Sequence, residues 1–376
     1  MTATTTHDLP AAPELAARYP VADGIVRASA AAREAAVSRG AFGVDFTDHM
    51  ARAMYTHGQG WHSHELVQYG ALRLAPSSSV LHYGQEIFEG LKAYRHDDGS
   101  VWTFRPEQNA LRHIRSAQRM ALPELPLEDF VGGIAALVAA DEAWVPGAPG
   151  SSLYLRPFEF ASEDFLGVRA ANEVTFLVVA SPVGPYFGNG FQPIDVWVTR
   201  EYHRSGPGGT GAAKTAGNYA SSLVPKEEAK ARGFEEVLFL DGATSSLVEE
   251  LGGMNLMAVR ADGSVVTPSL GHGTILPGIT RASLIQLLHD HGVRVDEVDL
   301  PLTELIGGIR NGAITEVFAC GTAAVITPIG RLASDDFDVT IADGEPGELT
   351  TRIYEELTGI QYGTVSDRHG WMYRLV

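Results

Sequence analysis

Cysteine is almost absent from this 376-residue chain: Cys320 stands alone. No intrachain disulfide can form and no cysteine-based metal cluster is available, a composition that suits a reducing cytoplasm. Positive charge is also scarce, with 28 Lys and Arg against 46 Asp and Glu and a net charge of −18. Bulk electrostatics therefore argue against nucleic-acid binding and against docking on an anionic membrane, and leave only a local basic pocket. No run approaches the roughly 18 apolar residues of a membrane span. Met1 to Asp8 lack the basic-then-apolar order of a secretory leader and the arginine richness of a transit peptide, so the expected location is the cytoplasm.

What is present is ordinary soluble material, 45% hydrophobic and 20% charged, in a chain too long for one hydrophobic core. Two domains are expected. Residues 1–40 read as an alanine- and threonine-rich extension, poorly ordered over the first 20, with a short helix from Ser29 to Arg39. Residues 41–181 form a first domain. The glycine- and proline-rich segment 182–193 is the boundary, and 194–376 the second domain. Leu66–Tyr69 and Ala71–Leu74 are expected strands joined at Gly70, and His62 and His64 solvated loop residues rather than metal ligands. Glu107–Met120 and Leu127–Val145 show helical periodicity.

The run Gly208-Gly209-Thr210-Gly211-Ala212-Ala213-Lys214-Thr215-Ala216-Gly217-Asn218-Tyr219 is too glycine-rich for a helix middle or a packed strand, so Lys214 is presented by an irregular loop. A phosphate loop would need glycine directly before the lysine, where Ala213 stands. A lysine so placed is either a surface charge or an amine reaching a buried carbonyl, and the chemistry that fits the second is a Schiff base. On the helix from Glu107, Arg112, Arg115 and Arg119 fall at i, i+3 and i+7. They form a solvated stripe unless one turns inward as an anion ligand. The strand Ser152–Phe160 sets Tyr154, Arg156, Phe158 and Phe160 on one face, where a buried arginine needs a carboxylate from the protein or a substrate. Glu249 and Glu250 run into Gly252-Gly253, so at least one acid points where water is scarce unless both are solvated. Ile279 and Thr280 lie at a helix N-terminus, a ready anion site.

Together these residues are the inventory of a pyridoxal-phosphate site: an amine, a carboxylate for a pyridine nitrogen, and arginine with helix amides for phosphate. Their order resembles the branched-chain amino-acid aminotransferases, of fold type IV. The matching motifs span nearly all of the chain: Phe88-Glu89-Gly90-Leu91-Lys92-Ala93, Arg105-Pro106, Tyr154-Leu155-Arg156-Pro157, Gly209-Thr210-Gly211 with Lys214 and Gly217-Asn218-Tyr219, Gly253-Met254-Asn255, Leu276-Pro277-Gly278 and Gly321-Thr322-Ala323.

The resemblance implies an α/β (α+β) enzyme with a small N-terminal α/β domain and a larger C-terminal domain of pseudo-barrel β-structure. It implies pyridoxal 5′-phosphate carried by Lys214, its phenolate oxygen bonded by Tyr219, its pyridine nitrogen paired with Glu250, and its phosphate held by Arg112, the amides of Ile279 and Thr280, and Thr322. Phe88, Tyr154, Tyr186 and Phe42 resemble the apolar walls of the substrate pocket, with Gly253 and Ala323 among the substrate contacts. Arg156 resembles the receiver of glutamate's distal carboxylate. Tyr83 resembles a residue that reaches the neighbouring subunit's site, which implies a homodimer. The implied reaction is ping-pong transamination of leucine, isoleucine and valine with 2-oxoglutarate. Two departures are visible. Ala324 and Thr327 stand where the animal enzymes carry a Cys-x-x-Cys pair, and Gly253 stands where some relatives have threonine. The alternatives are a D-amino-acid aminotransferase or aminodeoxychorismate lyase of the same fold type, or a binding protein on the same scaffold.

Overall fold

Ten residues, nearly all buried, Ser152–Ala161, form the strand around which the first sheet is arranged. The computed structural model describes residues 8–184 and 191–376, and the chain divides into two units, Met1–Tyr186 with Ala213–Ala216 and Gly359–Val376, and Phe187–Ala212 with Gly217–Thr358.

In the first unit the strands are β1 (His49–Thr56), β2 (Gly60–Gln68), β3 (Glu86–Phe88), β4 (Leu91–Arg95), β5 (Val101–Phe104), β6 (Ser152–Ala161) and β7 (Glu173–Val183). With the C-terminal strand Met372–Arg374 they make one sheet. Its order runs from that strand through β5, β4, β6, β7 and β1 to β2, and β3 pairs with β6 as well. One face is covered by the helix Leu127–Ala140, whose Phe130, Ile134 and Leu137 are fully buried with Leu153, Leu155 and Phe176 of the sheet. Gly132 on that helix lets the short helix Ala12–Ala16 come close, because a Cβ there would stand 2.8 Å from the Leu15 carbonyl oxygen. The expected helix from Glu107 is Pro106–Met120, with Pro106 in its first turn, where a missing N–H costs nothing. Ser29 caps the helix Ala30–Arg39 by accepting from the Ala32 amide.

Two local expectations fail here. Ala71–Leu74 is not a strand: the ladder of β2 ends at Gln68, and the exposed residues beyond it find no partner strand. His62 and His64 lie within β2, not in a loop. The first bonds Thr56 Oγ1 at 3.1 Å and the second sits 3.3 Å from Asp129. The loop reading weighed histidine and glycine composition, but cross-strand pairing with β1 overrides local propensity.

In the second unit follow β8 (Ile194–Val198), β9 (Glu236–Leu240), β10 (Val248–Leu251), β11 (Asn255–Arg260), β12 (Val265–Pro268), β13 (Val295–Val298), β14 (Ile314–Gly321), β15 (Val325–Ser334) and β16 (Phe337–Thr340). The sequence of neighbours β10-β9-β8-β15-β14-β11 closes on itself, because β10 also pairs β11 through Glu250 and Asn255. This closed ring of six strands is the expected pseudo-barrel. Val196, Leu238, Leu251, Leu256, Ala319 and Ile329 belong to its core, and closure removes edges that would otherwise template pairing with another chain.

Candidate active site

Lys214 belongs to the first unit. Its backbone is fixed on both sides: its amide donates to Ser116 Oγ at 2.9 Å, and its carbonyl accepts from the Phe88 amide at 3.0 Å. Thr215 then donates to the Glu86 carbonyl at 2.7 Å and bridges to Ile87. The glycine-rich approach therefore ends on a strand edge, which gives the amine a defined direction. Nζ stands 4.7 Å from the centre of the Phe88 ring. Burial, and then the positive charge of Arg112, lower its pKa from 10.5 to about 8. A lysine in this state releases its proton far more readily than a surface lysine, as an amine that must attack a carbonyl requires.

Arg112 is the arginine of the stripe that turns inward, while Arg115 and Arg119 are exposed. It forms a bidentate pair with the fully buried Glu89, Nε to Oε1 at 2.8 Å and Nη2 to Oε2 at 2.7 Å, and Asn109 donates to the same carboxylate at 2.8 Å. Burial alone would raise the Glu89 pKa. The charge and hydrogen bonds of Arg112, with help from Lys214 and Asn109, outweigh it and hold the pKa below the usual carboxylate value.

On the same unit Arg156 donates to the Tyr154 hydroxyl at 2.8 Å and lies over the Phe88 ring at 4.7 Å. Phe42, half exposed, packs edge-on against Tyr154 at 4.8 Å. Gly90 makes room for this group, since a Cβ there would overlap the Tyr154 hydroxyl. Lys214, Arg112, Phe88, Tyr154, Arg156 and Phe42 are thus linked residue to residue. Tyr83 has a different neighbourhood. It ends the helix Ser79–Tyr83, is half exposed, and donates to the Leu166 carbonyl at 2.5 Å. Tyr186 lies outside the described residues.

The second unit collects the remaining candidates. Glu249 and Glu250, adjacent on β10, are both buried, so neither is the solvated acid that the bland reading allowed. Glu250 accepts from Arg204 at 2.5 Å, from the Leu276 amide at 2.8 Å and from Asn255 at 3.1 Å. Asn255 also donates to the Leu276 carbonyl. Arg204 in turn holds the carbonyls of Gly211 and Thr274, each at 2.8 Å. One guanidinium thereby ties the glycine-rich loop, the Leu276-Pro277-Gly278 approach and the carboxylate together. Gly278 is the N-cap of the helix Ile279–Asp290 and offers no side chain to its first amides. Gly253 lies beside Tyr219, and a Cβ there would meet that ring at an ordinary 3.9 Å. Thr322 and Ala323 sit in the turn between β14 and β15, after which Val325 adopts φ = +61°. A β-branched residue held there costs about 1–3 kcal/mol, a strain typical of functional turns.

Among the residues of these networks, Glu89, Asn109, Ser116, Arg204 and Asn255 were not candidates from sequence. Ser116 was legible in principle, since it falls one helical turn after Arg112 on the same face. Arg204 carries no local signal, because its partners lie on segments distant in sequence.

Each unit holds part of what pyridoxal phosphate demands: the first an amine that deprotonates readily, the second a buried carboxylate held by donors and helix amides left without a side-chain cap. The family model described as Amino-transferase class IV matches residues 86–332. A branched-chain-amino-acid aminotransferase of Mycolicibacterium smegmatis is 52% identical over 352 residues, covering 93% of this chain and 95% of that one. The crystal structure of the Escherichia coli branched-chain amino acid aminotransferase superposes with a TM-score of 0.72 at 27% identity, covering 87% of this chain and 100% of that chain. The branched-chain aminotransferase from the thermophilic archaeon Thermoproteus uzoniensis, solved with norvaline, gives 0.70 at 26% identity, covering 87% and 100%. The chain belongs to the class IV aminotransferases and, within that class, to the branched-chain-amino-acid aminotransferase family.

Proposed function

We propose that this chain transfers the amino group of leucine, isoleucine or valine to 2-oxoglutarate, in two half-reactions on pyridoxal 5′-phosphate, as a homodimer of the cytoplasm. The observation that carries the proposal is the amine of Lys214, brought down to about pKa 8 among Phe88, Arg112 and Arg156, on a chain of this family.

The bound cofactor would supply an electron sink that makes the substrate Cα–H acidic. Lys214 Nζ would hold the cofactor and would also move the proton at the substrate Cα. Tyr219 would donate to the phenolate oxygen. Glu250, held in place by Arg204 and Asn255, would keep the pyridine nitrogen protonated. Arg112, the amides of Ile279 and Thr280, and the Thr322 hydroxyl would bind the phosphate, with Glu89 fixing the angle of Arg112. Phe42, Phe88, Tyr154 and Tyr186 would take the branched side chain, Gly253 and Ala323 would leave room at the α-carboxylate, and Arg156 would receive the distal carboxylate of glutamate. That one pocket must accept both an aliphatic chain and a carboxylate accounts for an arginine set among aromatic rings.

The test is an absorption spectrum of the purified protein between about 300 and 500 nm, before and after L-leucine, reading the lysine linkage that Nζ chemistry requires. A visible band that gives way to the amine form on L-leucine is expected. A band indifferent to L-leucine that responds to D-alanine would transfer the chain to the D-amino-acid reading, and no band with added cofactor would leave only a binding scaffold.

A further inference from the structure

Two cationic side chains of the first unit meet one aromatic ring. Lys214 Nζ stands 4.7 Å from the centre of the Phe88 ring and the guanidinium carbon of Arg156 also 4.7 Å, so the two are no more than twice that distance apart. The charged and titratable groups within electrostatic reach of the amine are Arg112 on the helix Pro106–Met120, Glu89 after β3, and Tyr154 and Arg156 on β6. The two arginines differ in what balances them. Arg112 is neutralised in place by its bidentate pair with Glu89. Arg156 is not. Its hydrogen bond goes to the Tyr154 hydroxyl, and among the described residues no carboxylate is in ion-pair contact with it. Glu86 on β3 feels its charge from further away: burial raises the Glu86 pKa, and Arg156 opposes this.

Arg156 is therefore the cation near Nζ whose charge a ligand can cancel. A positive neighbour disfavours the ammonium form of a buried amine and favours the free base. A carboxylate placed on Arg156 removes that influence, and Nζ then holds its proton more tightly. An aliphatic side chain in the same place leaves the guanidinium charge standing. At an effective dielectric constant of about 20, two unit charges about 8 Å apart interact strongly enough, after screening, to move a titration midpoint by about half to one pH unit.

We infer that Arg156, beside the Phe88 ring it shares with Lys214, makes the proton on Lys214 Nζ depend on which substrate is bound: a dicarboxylate holds the proton on Nζ, and a branched aliphatic acid leaves Nζ free to take one from Cα. The inference rests on the transamination reading, in which Arg156 receives the distal carboxylate of glutamate, and adds that the same arginine transmits the presence of that carboxylate to the base. The two half-reactions then use one amine at two strengths. It is the stronger base, and less often free, with glutamate than with leucine.

The experiment is isothermal titration of the protein in its pyridoxamine form, in which the Lys214 amine is free, just above that amine's pKa of about 8. Two buffers of different ionisation enthalpy let the protons taken up on binding be counted. Glutarate brings two carboxylates and 4-methylvalerate one, so the difference between them isolates the carboxylate on Arg156. Glutarate should take up about a quarter to a half of a proton more per chain. Lys214→Ala should abolish this excess while glutarate still binds; an excess that survives would assign the proton to Glu86 or to the cofactor amine and overturn the inference. Arg156→Gln should bring the two acids to the same count. Equal counts in the unsubstituted protein would overturn the inference and leave the transamination reading standing, whereas failure of both acids to bind would remove that reading as well. Stopped-flow half-reactions of the loaded protein need no variant: the acid limb of the pH profile for L-glutamate should lie about half to one pH unit above that for L-leucine, and coincident limbs would overturn the inference.

Discussion

Lys214 shows how little chemistry a residue carries until its surroundings are known. With its pKa at about 8, roughly a tenth of the apoprotein carries a free amine at pH 7, against less than about a thousandth for an ordinary lysine. The sign follows directly: the neutral amine attacks, and its fraction grows with pH. The rate of pyridoxal phosphate uptake by apoprotein should therefore rise severalfold from pH 7 to 8 and level off above about pH 9, measured by stopped-flow absorbance; continued tenfold rises to pH 10 would mean a solvated lysine. Glu89 makes a second residue-scale case. Glu89→Gln removes one partner of a buried bidentate pair and leaves Arg112 as an uncompensated charge, which should cost about 3–5 kcal/mol. Urea unfolding of the apoprotein will read it, and a loss below about 1 kcal/mol would mean that Arg112 finds another anion. Cys320, by contrast, is inert: burial pushes its thiol up to about 12.

At the scale of elements, the glycine-rich run is organised by what its neighbours require rather than by flexibility. A Cβ on Gly211 would collide with the backbone of Thr274, not with a movable side chain. The same loop gives its Gly211 carbonyl to Arg204. Gly211→Ala should therefore displace both the loop and the Arg204–Glu250 pair, cost about 1–3 kcal/mol in stability, and weaken cofactor retention. Dialysis followed by absorbance at the cofactor band would show this. A variant that keeps its cofactor and its unfolding midpoint would show that the close approach is not needed.

At the scale of the whole molecule, the expectation is a homodimer, and Tyr83 is the residue that bears on it. The residue is 44% exposed, so its side chain is available to a second copy. Sedimentation equilibrium of the holoprotein should return twice the chain mass of 40.2 kDa. A monomer with full activity would remove the dimer from the reading. No described helix is long and apolar enough to cross a membrane, and the net charge of −18 keeps such particles apart in dilute salt.

Periodicity located the helix that the structure places at Pro106–Met120, and glycine content located the lysine loop, because both are properties of adjacent residues. Ordered motifs along the chain were enough to place it among the branched-chain-amino-acid aminotransferases, and to expect a pseudo-barrel. Tertiary structure alone decided that β8 runs parallel to β15, that β10 closes the ring on β11, and that the C-terminal strand joins the sheet of the first unit. It also decided which of three arginines turns inward, that Glu89 is its counter-charge, and that Arg204 holds Glu250. Those facts depend on which unpaired backbone groups and buried charges meet across long separations, and no local pattern in the chain records that meeting.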